Sequence, residues 1–232
     1  HWFHHLNQNL WQGGALQASS GKTFQHNANQ PKPITASVGF VWAAPNVPQR
    51  DVLQHCHAAE QAAKQGGRDR IAFRILFNGG NHLEWICPWW ILEAGRIDIT
   101  KNRLGISEPK QAWTRFYNDV AMLEGRHAFG VGQDNQIDVA RRLFQVYFGE
   151  ENTIINEGYW WNQYDDNEAM VAAGILGNQN RFEITDASDP DYDKPLPENR
   201  YVKHAINNWV ISLAKVGFHL NRPLRQPQAI AA

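Results

Sequence analysis

Residues 71–87 carry the pattern that most constrains how this chain can fold. The apolar side chains of two successive runs recur at every second position: Ile71, Phe73, Ile75 and Phe77, then Leu83, Trp85 and Cys87. The segment Asn78-Gly79-Gly80-Asn81 joins the two runs, and Asn and Gly tolerate the positive φ angles that tight hairpins require. The pattern therefore predicts two antiparallel strands with one buried face.

A helix is predicted just before this hairpin, at about residues 49–65. Its apolar residues recur at helical spacing: Val52, Leu53, Cys56, Ala59 and Ala63. Gly66-Gly67 ends it, as glycine commonly does at a helix C-terminus. The β-branched, apolar run at residues 34–42 predicts a buried strand upstream. This order of elements predicts an α+β fold with helices packed on an antiparallel sheet.

The apolar pattern becomes helical after residue 89. Helices are predicted from Ser107-Glu108-Pro109, with Ser107 as the cap, and at about 135–147, 169–176 and 199–220. An acidic, solvated loop is predicted at residues 186–195. We therefore expect two domains: an α+β domain at residues 1–89 and a mainly α-helical domain at residues 90–232.

The first residues already follow a helical pattern. Trp2, Leu6 and Leu10 fall on one stripe, and the chain opens at His1. We therefore expect the chain to be a fragment whose upstream part is missing. Residues 12–33 are rich in Gln, Asn, Gly and Ser and predict a long, mobile loop.

Composition excludes some classes of function. The formal net charge is −1, so no overall basic excess favours nucleic-acid binding. No apolar run is long enough to span a bilayer, so we expect no membrane association. Two cysteines, Cys56 and Cys87, give no disulfide framework, which is typical of a cytoplasmic protein.

Two cations flank the Gly66-Gly67 break. Lys64 falls on the last helical turn and Arg68 just before the next strand. A point charge and a forked donor set in these places could hold a polyphosphate from two directions. The same spacing is also typical of two solvated cations at a helix end, where they complement the helix dipole. The spacing alone leaves both interpretations open.

A resemblance favours the first interpretation. The succession of Ser37-x-Gly39, a helix ending in Ala63-Lys64, and Gly67-Arg68-Asp69-Arg70 is similar to the last third of GGDEF-type cyclase palms. The resemblance implies that residues 1–89 form part of a ferredoxin-like, GGDEF-like palm. The resemblance implies that Lys64 and Arg68 bind nucleotide phosphates. It implies a structural role in the strand for Ser37 and Gly39, and it makes Ser37 and Arg70 secondary candidates for positions near the nucleotide.

The continuation of the chain resembles one branch of that superfamily. The aromatic hairpin and the helical tail look like the large signature subunit of type III CRISPR effector complexes, of the Cmr (III-B) type. Such a subunit converts ATP to cyclic oligoadenylate in antiviral defence, once target RNA is bound. The resemblance implies partners in the other subunits, guide RNA and target RNA. It also implies Mg²⁺ or Mn²⁺ in the complete palm, held by a Gly-Gly-Asp-Asp hairpin.

That hairpin does not occur in this sequence. We expect it upstream of residues 1–12, so that this chain binds no metal ion and is inactive alone. The alternative is a catalytically inactive scaffold subunit of the same complex. A degenerate upstream hairpin would support this alternative. A divergent diguanylate cyclase, which would prefer GTP, ranks last.

Four other patterns are weaker. Gly21-Lys22-Thr23 lacks the upstream glycine of a P-loop. His55-Cys56-His57 point in different directions on a helix and favour a structural role. Asp165-Asp166 lacks a preceding Gly-Gly turn. The pairs Trp89-Trp90 and Trp160-Trp161 could stack on bases, but we expect core or interface positions.

Overall fold

The computed structural model describes residues 15–17, 23–25, 35–127, 137–164, 166 and 170–222. The strands are β1 (Ala15–Gln17), β2 (Thr23–Gln25), β3 (Ser37–Ala43), β4 (Arg70–Leu76), β5 (His82–Pro88), β6 (Gln163–Tyr164) and β7 (Met170–Ala172). The α-helices are α1 (Gln49–Gln65), α2 (Trp89–Glu93), α3 (Pro109–Gly125), α4 (Ile137–Phe148) and α5 (Arg200–Leu220). The predicted α+β class is confirmed.

The main sheet has three strands in the order β3-β4-β5. The predicted hairpin is confirmed, because β4 and β5 are antiparallel, with Phe73 opposite Trp85. The sheet as a whole is mixed and not antiparallel, because β3 runs parallel to β4. The cause is α1, which returns the chain to the end of the sheet at which β3 begins. The next strand, β4, therefore runs in the same direction as β3.

The period of two gives the sheet two different faces. On the face toward α1 the contact is made by small residues. Ala72 of β4 and Ala59 and Ala63 of α1 are fully buried there. The opposite face belongs to the large core, in which Ile71, Trp85 and residues of α3, α4 and α5 form one cluster. The predicted boundary between domains at residue 89 stays a prediction. The hydrophobic core is continuous across it.

Three expectations for the helical part need correction. Residues 170–172 form β7, paired with β6, and not a helix. Glu108, not Ser107, is the N-cap of α3, with Pro109 in the first turn. The acidic loop is only partly solvated, because Asp191 is buried and its carboxylate accepts the backbone N–H of Arg200 at 2.7 Å.

Two further expectations concern the N-terminal part of the chain. The interval predicted as a loop contains the short antiparallel pair β1-β2. The helix predicted over Trp2, Leu6 and Leu10 lies outside the described residues. Over the described ranges, no helix is both long and apolar enough to cross a bilayer.

Candidate functional site

The turn between α1 and β4 is the most unusual piece of backbone in the described chain. Gly66 caps α1, and its N–H donates to the carbonyl of Ala62 at 2.8 Å. The next three residues all have positive φ: Gly67 at 118°, Arg68 at 62° and Asp69 at 52°. Positive φ is uncommon outside glycine. Such strain persists only where the surroundings impose it.

Arg68 projects from this turn with an exposed side chain. Its backbone N–H donates to the carbonyl of Ala63 at 3.2 Å, which closes the turn. Its guanidinium makes no hydrogen bond or ion pair with any residue that the structure describes. The backbone of Arg68 is therefore held in place, whereas its cationic side chain is accessible.

Lys64 lies on the last turn of α1, and its side chain is 44% exposed. Its ammonium forms an ion pair with Glu60, one turn earlier on the same helix. Pairs of this spacing on a helix surface contribute only about 0.3–0.5 kcal/mol. A more strongly charged anion could therefore displace Glu60. Phosphate binding by Lys64 stays a prediction.

Arg70 is buried directly behind the turn, with 1% of its surface exposed. Its Nε donates to the carbonyl of Arg68 at 2.9 Å, and Nη2 donates to the carbonyl of Gly174 at 3.0 Å and to Asn162 Oδ1 at 3.1 Å. Nη1 donates to the carbonyl of Ile175 at 3.4 Å. Burial, with a smaller effect of Arg181, lowers the pKa of Arg70 to about 10.

The guanidinium of Arg70 thus connects the turn to a distant segment. Contact between Arg70 and a nucleotide, expected from the resemblance, stays a prediction. The observed hydrogen bonds give this side chain a structural role, because it holds the carbonyl of Arg68 and hence the strained turn.

Asn162 completes the connection. Its Nδ2 donates to the carbonyl of Gly67 and to Asn178 Oδ1, both at 2.9 Å, while its Oδ1 accepts the N–H of Gly174 at 2.9 Å. Asn162 and Gly67 are 95 residues apart in sequence. No local sequence pattern marks such a contact, and Asn162 was therefore not predicted as part of the site.

The backbones of Gly177 and Gly66 approach each other closely at the same contact. A Cβ built on Gly177, where φ is +83°, would lie 1.7 Å from the carbonyl oxygen of Gly66. Only glycine fits there. We call Asn162, Gly174, Ile175 and Gly177 the clamp, because these four residues hold the turn from one side.

The Ser37-x-Gly39 signature has a packing explanation. A Cβ on Gly39 would lie 2.5 Å from both the carbonyl oxygen of Cys56 and the amide nitrogen of Glu60. The structural role expected for Gly39 is therefore confirmed, since glycine lets β3 approach α1. Ser37 is half-buried at the start of β3, opposite Arg70 in β4. Its proximity to a nucleotide stays a prediction.

The described residues provide no metal-binding cluster of three or more His, Cys, Asp or Glu side chains. His55 instead lies against the ring of His82, with centroids 5.0 Å apart, and accepts a hydrogen bond from Arg74 at 3.3 Å if its Nδ1 is unprotonated. Asp165 lies outside the described residues.

The tryptophan pairs serve the core, as expected. Trp160 is buried and donates to the carbonyl of Ile155 at 2.8 Å. The indole of Trp90 donates to the carbonyl of Ala173 at 2.7 Å, next to the clamp. The indole N–H groups of Trp90 and Trp160 are thus already used within the fold.

Comparisons with family models, curated proteins and solved structures yield no match for this chain.

Proposed function

We propose that the turn at residues 66–69 binds the phosphate groups of a nucleoside triphosphate, with Arg68 as the main ligand and Lys64 as the second cation. The observation that carries this proposal is the exposed guanidinium of Arg68 on a strained turn that the clamp holds in place.

Preorganisation is the physical reason. A non-glycine residue with positive φ costs about 1–3 kcal/mol, and the turn contains two, Arg68 and Asp69. Hydrogen bonds from Arg70 and Asn162 to the carbonyls of Arg68 and Gly67 offset that cost. A backbone held in this way loses little further freedom when a ligand binds, so more of the contact energy becomes affinity.

The chemistry of the two cations suits phosphate. Guanidinium presents two parallel N–H groups that match two phosphate oxygens, whereas ammonium acts as a compact point charge. Lys64 precedes the turn and Arg68 lies within it, so both belong to the same end of α1. A triphosphate carries enough charge to compete with Glu60 for Lys64.

At the level of the whole protein, we propose a fragment of the signature subunit of a cytoplasmic type III CRISPR effector complex. ATP would be the substrate, and the divalent ions would supply charge neutralisation at the reacting phosphates. This chain would contribute phosphate contacts and a helical part that docks on other subunits and on the guide–target duplex. The support is the resemblance of the turn and the hairpin.

The test is the affinity of the chain for Mg·ATP, measured by equilibrium dialysis. Arg68→Ala removes a charge-assisted contact worth about 1.5–3 kcal/mol, so we expect the dissociation constant to rise about 10- to 150-fold. Lys64→Ala should have a smaller effect in the same direction. The matched control is Arg126→Ala, which removes another exposed arginine at a helix C-terminus, that of α3.

Wild-type ATP affinity in a folded Arg68→Ala protein would refute the proposal. Tighter binding of GTP than of ATP would favour a diguanylate cyclase. A specific observation supports the scaffold alternative: Glu60 already neutralises Lys64, and the clamp occupies the back of the turn. Under that alternative, the wild-type chain binds no nucleotide at millimolar concentration.

A further inference from the structure

A cavity lies along the β5 edge of the sheet, between Arg70, α5 and residues 175–182. Its volume is about 210 Å³. The part of its lining that matters here consists of Arg70, Arg181, Glu84, Trp85, Trp209 and Phe182. Pockets for drug-sized ligands usually measure about 300–1,000 Å³, so this one suits a molecule smaller than a nucleotide.

The cavity contains an excess of positive charge. Arg70 is buried, yet all four of its hydrogen-bond acceptors are uncharged oxygens, and no carboxylate lies within ion-pair distance among the described residues. Fully buried arginines are rare unless they are paired with an acidic group. Asp69 is the neighbouring carboxyl in sequence, but it forms no ion pair with Arg70, and burial raises the pKa of Asp69.

Arg181 adds a second guanidinium, and its side chain is exposed. Arg181 is held only loosely, by a long hydrogen bond from Nη1 to the carbonyl of Leu176 at 3.4 Å. The carboxylate in the wall, Glu84, is already occupied by an ion pair with Arg74 at 2.5 Å. An anion in the cavity would therefore meet two cationic side chains. Among the described residues, the lining contains no unpaired carboxylate.

Aromatic rings form a large part of the remaining wall, beside aliphatic residues and the polar side chains of Asn208 and Ser212. The rings of Trp85 and Trp209 lie with centroids 5.3 Å apart, and Phe182 lies beside Arg181. The indole N–H of Trp85 is buried and finds no acceptor among the described residues. Trp209 uses its own N–H on the carbonyl of Ile86 at 2.8 Å, which fixes that wall.

We infer that this cavity binds a small monocarboxylate with an apolar or aromatic body. The carboxylate lies against Arg181 and the face of Arg70, and the body lies against Trp209 and Phe182. A planar carboxylate matches the guanidinium fork, and the aromatic rings of the lining suit an apolar or aromatic body. This inference does not require ATP binding at the turn, although Gly66 and Arg70 belong to both places.

The experiment titrates the full chain with phenylacetate and follows the indole N–H resonances of Trp85 and Trp209 by NMR. Two matched probes accompany it: phenylacetamide, which keeps the shape without the charge, and inorganic phosphate. We expect saturable shifts with phenylacetate, and at least about tenfold weaker binding of both other probes. Arg181→Gln should weaken phenylacetate binding about tenfold, because it removes an exposed cation without disturbing the clamp.

Two further variants keep the test sharp. Ala205→Leu fills the cavity from α5 and should abolish the shifts, whereas Arg126→Gln, on another surface, should leave them unchanged. Equal binding of phenylacetamide, equal binding of phosphate, or full phenylacetate affinity in Arg181→Gln would each overturn the inference. Arg70 itself is left intact because its loss would release the turn.

Discussion

Gly39 shows at the scale of one residue how this fold depends on close packing. The backbone of β3 meets α1 so closely that an added methyl group would touch two backbone atoms of the helix at 2.5 Å. Backbone atoms cannot move aside as the end of a side chain can. The helix as a whole must therefore shift to admit any larger residue.

We predict that Gly39→Ala lowers the free energy of unfolding by about 1–3 kcal/mol, the usual cost of overpacking a core. Urea unfolding followed by circular dichroism measures this value. Gly79→Ala is the control, since nothing lies within 4 Å of a Cβ at Gly79. A change of less than about 0.5 kcal/mol at Gly39, as expected for ordinary surface sites, would show that α1 moves freely.

Single residues also mark where prediction from sequence succeeds and where it stops. The break at Gly66-Gly67 and the role of Gly39 follow from glycine spacing, because both act on neighbouring elements. The left-handed conformations of Arg68 and Asp69 do not follow from it. They depend on hydrogen bonds from Arg70 and Asn162, and such side-chain to backbone contacts leave no periodic signal.

At the scale of elements, the clamp is the feature with the largest expected consequence. Asn162→Ala removes hydrogen bonds to the Gly67 carbonyl and from the Gly174 N–H, besides its contact with Arg70. We expect the free energy of unfolding to fall by about 2–3 kcal/mol, at about 1 kcal/mol per lost hydrogen bond.

Urea unfolding again provides the measurement, with Asn118→Ala as the matched control on the exposed face of α3. The same Asn162→Ala protein should also bind Mg·ATP more weakly, because the turn is no longer held. Unchanged stability together with unchanged ATP affinity would mean that the clamp does not support the turn.

We expect the stability of the fold to depend on pH through His219, at the end of α5. His219 packs on Phe77 at a ring separation of 5.1 Å, and burial, together with Arg222, lowers the pKa of His219 below its usual value of 6.5. The unfolded chain therefore binds the proton more readily than the folded chain below about pH 6.5. Acidification favours unfolding by this route, and the effect disappears above that pH.

We predict that the wild-type chain loses more stability between pH 7 and pH 5 than His219→Gln does. Thermal unfolding at both pH values measures the difference. His57→Gln, an exposed histidine on α1, is the control and should behave as the wild type. A parallel pH response of wild type and His219→Gln would contradict the assignment.

The long, strongly periodic elements were predicted well, and the short ones were not. The helix at 49–65, the hairpin and the last helix follow from their spacing, and the structure confirms them within one or two residues. The helix predicted at 169–176 was wrong, because a short apolar run has no period long enough to distinguish helix from strand. Pairing with β6 decides its conformation.

At the scale of the whole molecule, the sheet and the helices share one core. Trp209 on α5 packs against Trp85 on β5 and donates to a carbonyl of the same strand, at Ile86. The two predicted domains are thus joined through buried side chains. Sequence patterns describe each face separately and do not show which faces meet.

We therefore predict that the described part of the chain unfolds in one cooperative transition. Tryptophan fluorescence and far-ultraviolet circular dichroism, followed in the same urea titration, should give coincident midpoints. Two separated transitions would instead indicate that the parts on either side of residue 89 fold independently.

The most direct test of the central claim locates the phosphates of a bound nucleotide. Mn·ATP broadens NMR signals of groups close to its metal ion, so the side-chain N–H resonances of arginines report their distance from the phosphates. We predict that the signal of Arg68 broadens first, while that of Arg126 persists. Persistence of the Arg68 signal at saturating Mn·ATP, or earlier loss of the Arg126 signal, would contradict the assignment of the turn as the phosphate site.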